Sequence, residues 1–157
     1  MKPTKEYLRE KYFPLPNQIF NLGLTAEEFA IYSYLMYLED RKTCQCHPAY
    51  KTIGRTLHMS ENTVRKYVRR LVDKGFIYTD PTQVRRSNGH LYNGNLRYTI
   101  RPIQEAVEIY QARQLAALDA ARAQQQVEQR IQDYNRKHPD KPVTVTDNSQ
   151  AKASVAP

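Results

Sequence analysis

The stretch from Ser60 to Arg101 contains nine basic and three acidic residues, so it holds +6 of the chain's net charge of +8. Within it, Asn62, Arg65, Lys66 and Arg69 are spaced by three or four positions, which places their side chains on one face of a helix. Amide, guanidinium and ammonium groups are hydrogen-bond donors, and a dense cationic surface attracts polyanions. Nucleic acid and an anionic membrane surface are the two partners whose charge fits such a face.

Several classes of protein are excluded by motifs that the sequence lacks. No run of about 18 apolar residues could span a bilayer, and the N-terminus lacks the apolar core of a secretory signal. We therefore expect a cytoplasmic protein with no membrane partner. A glycine-rich phosphate loop, a nucleophile elbow and a paired-histidine metal motif are also missing, so we predict no enzyme, no cofactor and no small-molecule ligand.

The first helix is predicted to begin after Thr25 and to run to about Asp40 or Arg41. Thr25 and Glu28 have the spacing of a capping box, in which each side chain satisfies a backbone N–H of the other residue. Apolar residues then recur at helical spacing, which predicts a buried stripe of Phe29, Tyr32, Leu35 and Met36.

A short strand is predicted over residues 43–47, where Cys44 and Cys46 alternate onto one inward face. Two cysteines separated by one residue are too close for an ordinary disulfide and too few for a structural zinc site, so we expect two reduced thiols and no metal. Pro48 is expected at the first position of a second helix, where its missing N–H costs nothing.

A third helix is predicted after a break at His58 and Met59. Ser60 is a favourable N-cap, and Gly75 suits the position that ends the helix. Apolar side chains recur between them at helical spacing, which predicts a buried face of Val64, Tyr67, Val68 and Leu71.

Two β-favouring runs follow and predict a hairpin. A turn at Asn88-Gly89 places Ile77 opposite Ile100 and Thr79 opposite Tyr98, while Pro81 implies a bulge or an unpaired edge. Asn93-Gly94 is an alternative turn.

The order of these elements is that of a winged helix, and the sequence supports the same assignment. The segment from Pro48 to Ile77 resembles the helix-turn-helix of GntR-type and related bacterial winged helix regulators, with Gly54, Ser60 and the Thr63-Val64-Arg65 run at matching places. The resemblance spans roughly Thr25 to Ile100. It implies an α+β fold, a winged helix-turn-helix with a three-helix core and a β-hairpin wing, to which a long C-terminal helix is added. The family's turn glycine is His58 here, so either His58 adopts a left-handed conformation, which histidine tolerates better than most residues, or the turn differs in detail.

The resemblance further implies that the third helix enters the major groove of double-stranded DNA. Asn62 and Arg65 would read base edges, Lys66 and Arg69 would meet phosphates, and residues beside the wing tip would lie along the minor groove. Arg70 and Lys74 are expected to be surface or rim residues. The predicted DNA-contacting set is Lys51, Ser60, Glu61, Asn62, Thr63, Arg65, Lys66, Arg69, Arg85, Arg86 and His90.

The predicted organisation has four parts, an N-terminal arm over residues 1–21, the winged helix over 22–101, a C-terminal helix over 102–137 and a disordered tail over 138–157. We expect the helix to serve dimerisation or partner binding, and a homodimer to read two half-sites. The leading hypothesis is a sequence-specific transcription regulator of bacterial type. A plasmid or mobile-element replication protein is the alternative, because Phe13 to Phe20 resembles the arm of winged helix initiators, and a protein-binding adaptor is the third hypothesis.

Overall fold

The computed structural model describes residues 12–85, 87 and 89–144, and its helices and small antiparallel sheets form a winged helix-turn-helix. It contains two compact units, Met1–Gln111 and Ala112–Pro157. The elements, after a 3₁₀ helix at Asn17–Asn21, are α1 (Ala26–Leu38), β1 (Gln45–Cys46), α2 (Tyr50–Leu57), α3 (Glu61–Asp73), β2 (Ile77–Asp80), β3 (Gln83–Arg85), β4 (Leu91–Asn93), β5 (Arg97–Ile100) and α4 (Ile103–Lys137).

Helix α1 begins as the sequence predicts. The Thr25 backbone N–H donates to Glu28 Oε2 at 2.8 Å, and Thr25 Oγ1 accepts from the Glu28 N–H, so the capping box is complete. The predicted stripe is buried at Tyr32 and Leu35 and half-buried at Phe29 and Met36. The helix ends at Leu38 rather than near Asp40, because Glu39 adopts an extended conformation.

The connection between α2 and α3 combines one strained residue with one very close approach. His58 has a φ of 55° and a ψ of 41°, so of the two alternatives it adopts the left-handed conformation. A Cβ on Gly54 would lie 2.5 Å from the Met59 carbonyl oxygen, so only glycine fits there without a shift of the backbone. The start of α2 was predicted wrongly, because Ala49 is the N-cap and the helix begins at Tyr50, two residues after Pro48.

The two cysteines lie in different environments, so the prediction that both face inward is wrong. Cys44 is exposed and has a φ of 55°, which interrupts the alternation on which the prediction depended. Cys46 is buried, and its Sγ lies 3.7 Å from the Leu35 carbonyl oxygen, to which it donates. Burial is the main cause that raises the pKa of Cys46 to about 11, and the Glu39 carboxylate adds to it.

At pH 8 we expect a maleimide to label one thiol per chain rapidly and the other slowly. Thiolate is the reactive species, and a thiol with a pKa of about 11 is almost entirely protonated at pH 8. Peptide mass spectrometry should place the rapid label on Cys44, and both thiols should react in denaturant. Equal labelling rates in the native protein would contradict the buried position of Cys46.

The hairpin has the predicted register next to the core and a shifted one towards its tip. Strands β1, β5 and β2 form an antiparallel sheet in that order, in which Ile77 pairs with Ile100 and Thr79 with Tyr98. Strands β3 and β4 form a second sheet in which Val84 pairs with Tyr92, one residue out of step with the first ladder. The slip follows Pro81, as predicted.

The alternative turn at Asn93-Gly94 is not the one that closes the hairpin. Asn93 pairs with Gln83 in the β3–β4 ladder, and the Gly94 N–H donates to the Thr82 carbonyl oxygen at 2.7 Å. These residues therefore lie within the arms of the hairpin, at the point where the two ladders meet.

The N-terminal arm is anchored where its 3₁₀ helix reaches the core. Ile19 and Leu22 are buried, whereas the Phe20 side chain is 75% exposed and its ring centroid lies 5.5 Å from that of Phe29. The arm thus docks on the core through Ile19 and Leu22, while the Phe20 ring contacts Phe29 of α1. The first part of the predicted arm, residues 1–11, lies outside the described residues.

The first turns of α4 complete the core of the first unit. Ala106 is buried there, and Ile103, Val107 and Tyr110 pack against the same cluster, as predicted. A Cβ on Gly75, whose φ is 82°, would collide with the side chain of Ile109. Because Ile109 Cδ1 is the end of a flexible side chain that can shift, the positive φ is the stronger reason for a glycine at the end of α3.

The second unit contains the rest of α4 and a short return of the chain. Asn135 Nδ2 donates to the Val143 carbonyl oxygen at 2.9 Å, and the Val143 N–H donates to Asn135 Oδ1 at 2.7 Å. Val143 thereby joins Val127, Ile131 and Tyr134 around a shallow apolar groove. Of the tail predicted to be disordered, residues 145–157 lie outside the described residues.

Candidate nucleic-acid interface

Helix α3 has a buried face and a polar face. Val64, Val68 and Leu71 are buried and pack within the core. The opposite face is exposed and carries, from the first turn onward, the side chains of Glu61, Asn62, Arg65, Lys66, Arg69 and Arg70. The helix-turn-helix packing therefore leaves hydrogen-bond donors and positive charge on the outer surface of α3.

Two residues of the predicted DNA-contacting set form the N-cap of this helix. Ser60 Oγ accepts from the Thr63 N–H at 3.1 Å and lies 2.8 Å from the Thr63 hydroxyl. Thr63 is half-buried, whereas Asn62 is exposed. Both hydroxyls stabilise the start of α3, and Asn62 and Arg65 are left as the more accessible polar groups beside it.

Three of the nine basic residues in the charged stretch are bound within the protein. Lys74 pairs with Glu28, Arg97 with Asp80 at 3.2 Å, and Arg101 with Glu105. Among the described residues, no carboxylate forms an ion pair with the exposed side chains of Arg65, Lys66, Arg69, Arg70 and Arg85. Within the described part of this stretch, the positive charge available to an external polyanion thus lies on α3 and on one strand of the wing.

Lys74, expected to be a surface or rim residue, forms contacts within the protein at the C-terminal end of α3. Its Nζ donates to Glu28 Oε2 and to the Gly23 carbonyl oxygen, each at 2.6 Å. The Glu28 side chain is fully buried, while the Lys74 side chain is 24% exposed. This ion pair connects the end of α3 to the capping box of α1.

Lys66 and Arg70 share an aromatic neighbour on their own helix. The Lys66 ammonium lies 5.5 Å and the Arg70 guanidinium 5.3 Å from the ring centroid of Tyr67. Both charges also contribute to a lowered pKa of Glu27, for which backbone and Thr25 hydrogen bonds are the larger causes. Lys66 and Arg70 therefore lie on the side of α3 that faces the N-terminus of α1.

The wing supplies a second cationic element. Arg85 and His90 are exposed at the ends of the β3–β4 ladder, and Arg86 lies outside the described residues. Large apolar side chains are exposed beside them, at Val84, Leu91 and Tyr92.

The sequence alone did not single out Tyr50, yet its ring contacts Arg65, the predicted base-reading residue. The Arg65 guanidinium carbon lies 5.6 Å from the ring centroid of Tyr50, the first residue of α2. Lys51, its neighbour and a member of the predicted set, is exposed. An aromatic residue at the start of α2 is the only signal of this contact in the sequence, and it becomes informative once the packing of α2 on α3 is known.

The exposed face of α3 is suited to bind an extended polyanion. An exposed helix of about 10–12 Å diameter fits the major groove of B-form DNA, which is about 12 Å wide. The exposed face of α3 combines cations, which bind phosphates, with Asn62 and Arg65, whose donor patterns match adenine and guanine edges. Which of these side chains contact DNA remains a prediction.

Comparison with known proteins identifies the same region. A family model described as a helix-turn-helix domain matches residues 22–77, which contain α1, α2 and α3, and this supports DNA binding. The match does not extend to the narrower GntR-type resemblance, which remains a prediction. No curated protein matches the chain.

The chain is also similar to a solved structure titled as a possible transcriptional regulator from Methanosarcina mazei Go1. The two are 18% identical, with a TM-score of 0.42, over 69% of this chain and 80% of that one. Among the described residues, no helix is long and apolar enough to cross a membrane.

Proposed function

We propose that this protein is a sequence-specific, double-stranded DNA-binding transcription regulator that docks α3 in the major groove. The observation that carries the proposal is the exposed charge of Arg65, Lys66 and Arg69 beside Asn62, with which no carboxylate of the described residues forms an ion pair, on the helix that the helix-turn-helix packing turns outward. Asn62 and Arg65 read bases, while Lys51, Lys66 and Arg69 bind phosphates.

The wing extends this footprint along the minor groove. Arg85 and His90 are exposed at the end of the hairpin, and the sequence places Arg86 beside them. Guanidinium groups favour the negative potential of a narrow minor groove, so the wing adds affinity and responds to groove width.

Selection from a random duplex pool with the full chain tests the proposal. We expect one enriched motif, which binds more tightly than its scrambled version at every salt concentration. About five phosphate contacts would give a slope of about −4.5 for log K against log salt. A two-fold symmetric motif would support the proposed homodimer, and directly repeated sites would favour a replication protein. Failure to enrich any motif would contradict sequence-specific binding.

A further inference from the structure

The contact between Tyr50 and Arg65 differs from the other aromatic contacts of cations on α3. Lys66 and Arg70 lie near Tyr67, a residue of the same helix, whereas Arg65 lies over a ring that belongs to α2. The 5.6 Å separation between the Arg65 guanidinium carbon and the ring centroid is within the range of a cation–π interaction. A contact between two helices can fix a side chain relative to the domain as a whole.

The Tyr50 ring is itself held in place. It is half-buried and packs against the hydrophobic core. It also lies close enough to the buried Tyr98 to help raise the pKa of that phenol, for which burial is the main cause. Because the backbone of Tyr50 is the first turn of α2, and α2 packs on α3, the ring is a fixed platform rather than a mobile surface side chain.

A fixed platform matters for an arginine that reads a base. A free arginine side chain loses rotamer entropy when it is held in one geometry. A guanidinium that lies with its face on an aromatic ring keeps its donors in the plane of the group, where they can still form two parallel hydrogen bonds with guanine O6 and N7. Preorganisation by Tyr50 is thus compatible with base reading and reduces its entropic cost.

We propose that Tyr50 is a positioning residue for base recognition, and that its ring holds the Arg65 guanidinium in the orientation that selects one guanine of the DNA site. The inference depends on the proposed function, since it concerns how the same helix obtains its specificity. It requires no contact between Tyr50 and DNA.

The test compares Tyr50→Leu, Tyr50→Phe and Arg65→Ala in the full chain, with the selected duplex, its variants at each base pair and scrambled DNA as probes. For Tyr50→Leu we expect about 5- to 20-fold weaker binding of the selected duplex, the range of a cation–π contact that becomes desolvated in the complex. Discrimination should decrease at the base pair that Arg65→Ala affects. The salt slope should not change, because tyrosine neutralises no phosphate. Tyr50→Phe should bind within about twofold of wild type, because it keeps the ring.

Tyr78→Leu is the matched control. It removes a comparable ring, over which the Arg101 guanidinium lies at 4.1 Å, from a strand that is not part of the proposed interface. Tyr78→Leu should bind the selected duplex as tightly as wild type does. In the Arg65→Ala background, adding Tyr50→Leu should cause no further loss of affinity for the selected duplex.

Three outcomes would overturn the inference while leaving the proposed function intact. They are full discrimination by Tyr50→Leu, an equal loss for Tyr50→Phe, and an equal loss of affinity for scrambled DNA, which would indicate a general effect on the fold. Failure of wild type to prefer any duplex would instead contradict the proposed function.

Discussion

Arg65→Ala is expected to weaken binding of the selected duplex by about 10- to 100-fold and to remove the preference at one base pair. A bidentate arginine–guanine contact contributes about 1–3 kcal/mol of discrimination, and Arg65 is exposed and has no ion pair among the described residues. Binding of scrambled DNA should decrease far less, because one of several cations is lost. Fluorescence anisotropy with the selected and the scrambled duplex measures the ratio of the two affinities.

Two comparisons make this result specific to base reading. Arg69→Ala should weaken binding of every duplex to a similar extent and reduce the salt slope by about 1, as expected for a phosphate contact. Arg122→Ala changes an exposed arginine of α4 that pairs only loosely with Asp119 at 3.9 Å, and it should bind like wild type. If Arg65→Ala behaves like Arg69→Ala, Arg65 binds a phosphate and reads no base.

Lys74→Met is expected to destabilise the domain by about 2–4 kcal/mol. The substitution leaves the Glu28 carboxylate fully buried without its partner, and breaking a buried pair typically costs about 3–5 kcal/mol. The lower part of the range applies because Lys74 is 24% exposed, so water can replace some of the lost contact. For a chain of this size the midpoint of thermal unfolding should decrease by about 5–15 °C, as measured by circular dichroism.

The charge of Glu28 can be separated from the packing of Lys74 with a second variant. Glu28→Gln combined with Lys74→Met removes both charges and should recover part of the lost stability. Lys42→Ala, a change at an exposed lysine, should unfold within about 1 °C of wild type. If Lys74→Met unfolds at the wild-type temperature, the ion pair does not hold α3 in place.

The features that the sequence predicts well are local or periodic. The capping box at Thr25, the N-cap at Ser60 and the left-handed His58 each depend on a few neighbouring residues. The pairing of Ile77 with Ile100 follows from a turn signal and from apolar residues that alternate on both strands. Such signals are readable because the physical cause lies within the same short segment.

The features that the sequence did not predict depend on contacts that form only in the packed domain. Glu28 and Lys74 are 46 residues apart, and no local pattern indicates that they meet. Tyr50 reaches Arg65 only because α2 packs across α3. The error at Cys44 has a related cause, since its positive φ belongs to a turn in which the Cys44 N–H donates to Asp40 at 2.6 Å, and this turn breaks the alternation assumed for a strand. The DNA contacts predicted for the α3 residues come from the family resemblance, and the binding experiments test them.

The slipped register of the wing also bears on how the purified protein stays soluble. Among the described residues, β3 and β4 pair only with each other, so each has an edge to which a strand from a second molecule could add. Val84 and Leu91, both more than half exposed, would make such pairing attractive. The slip after Pro81 limits the ladder to three residues on each strand, and Arg85 places a charge in it. Edges this short template aggregation poorly, so the wing can expose these apolar side chains without promoting edge-to-edge aggregation of the protein.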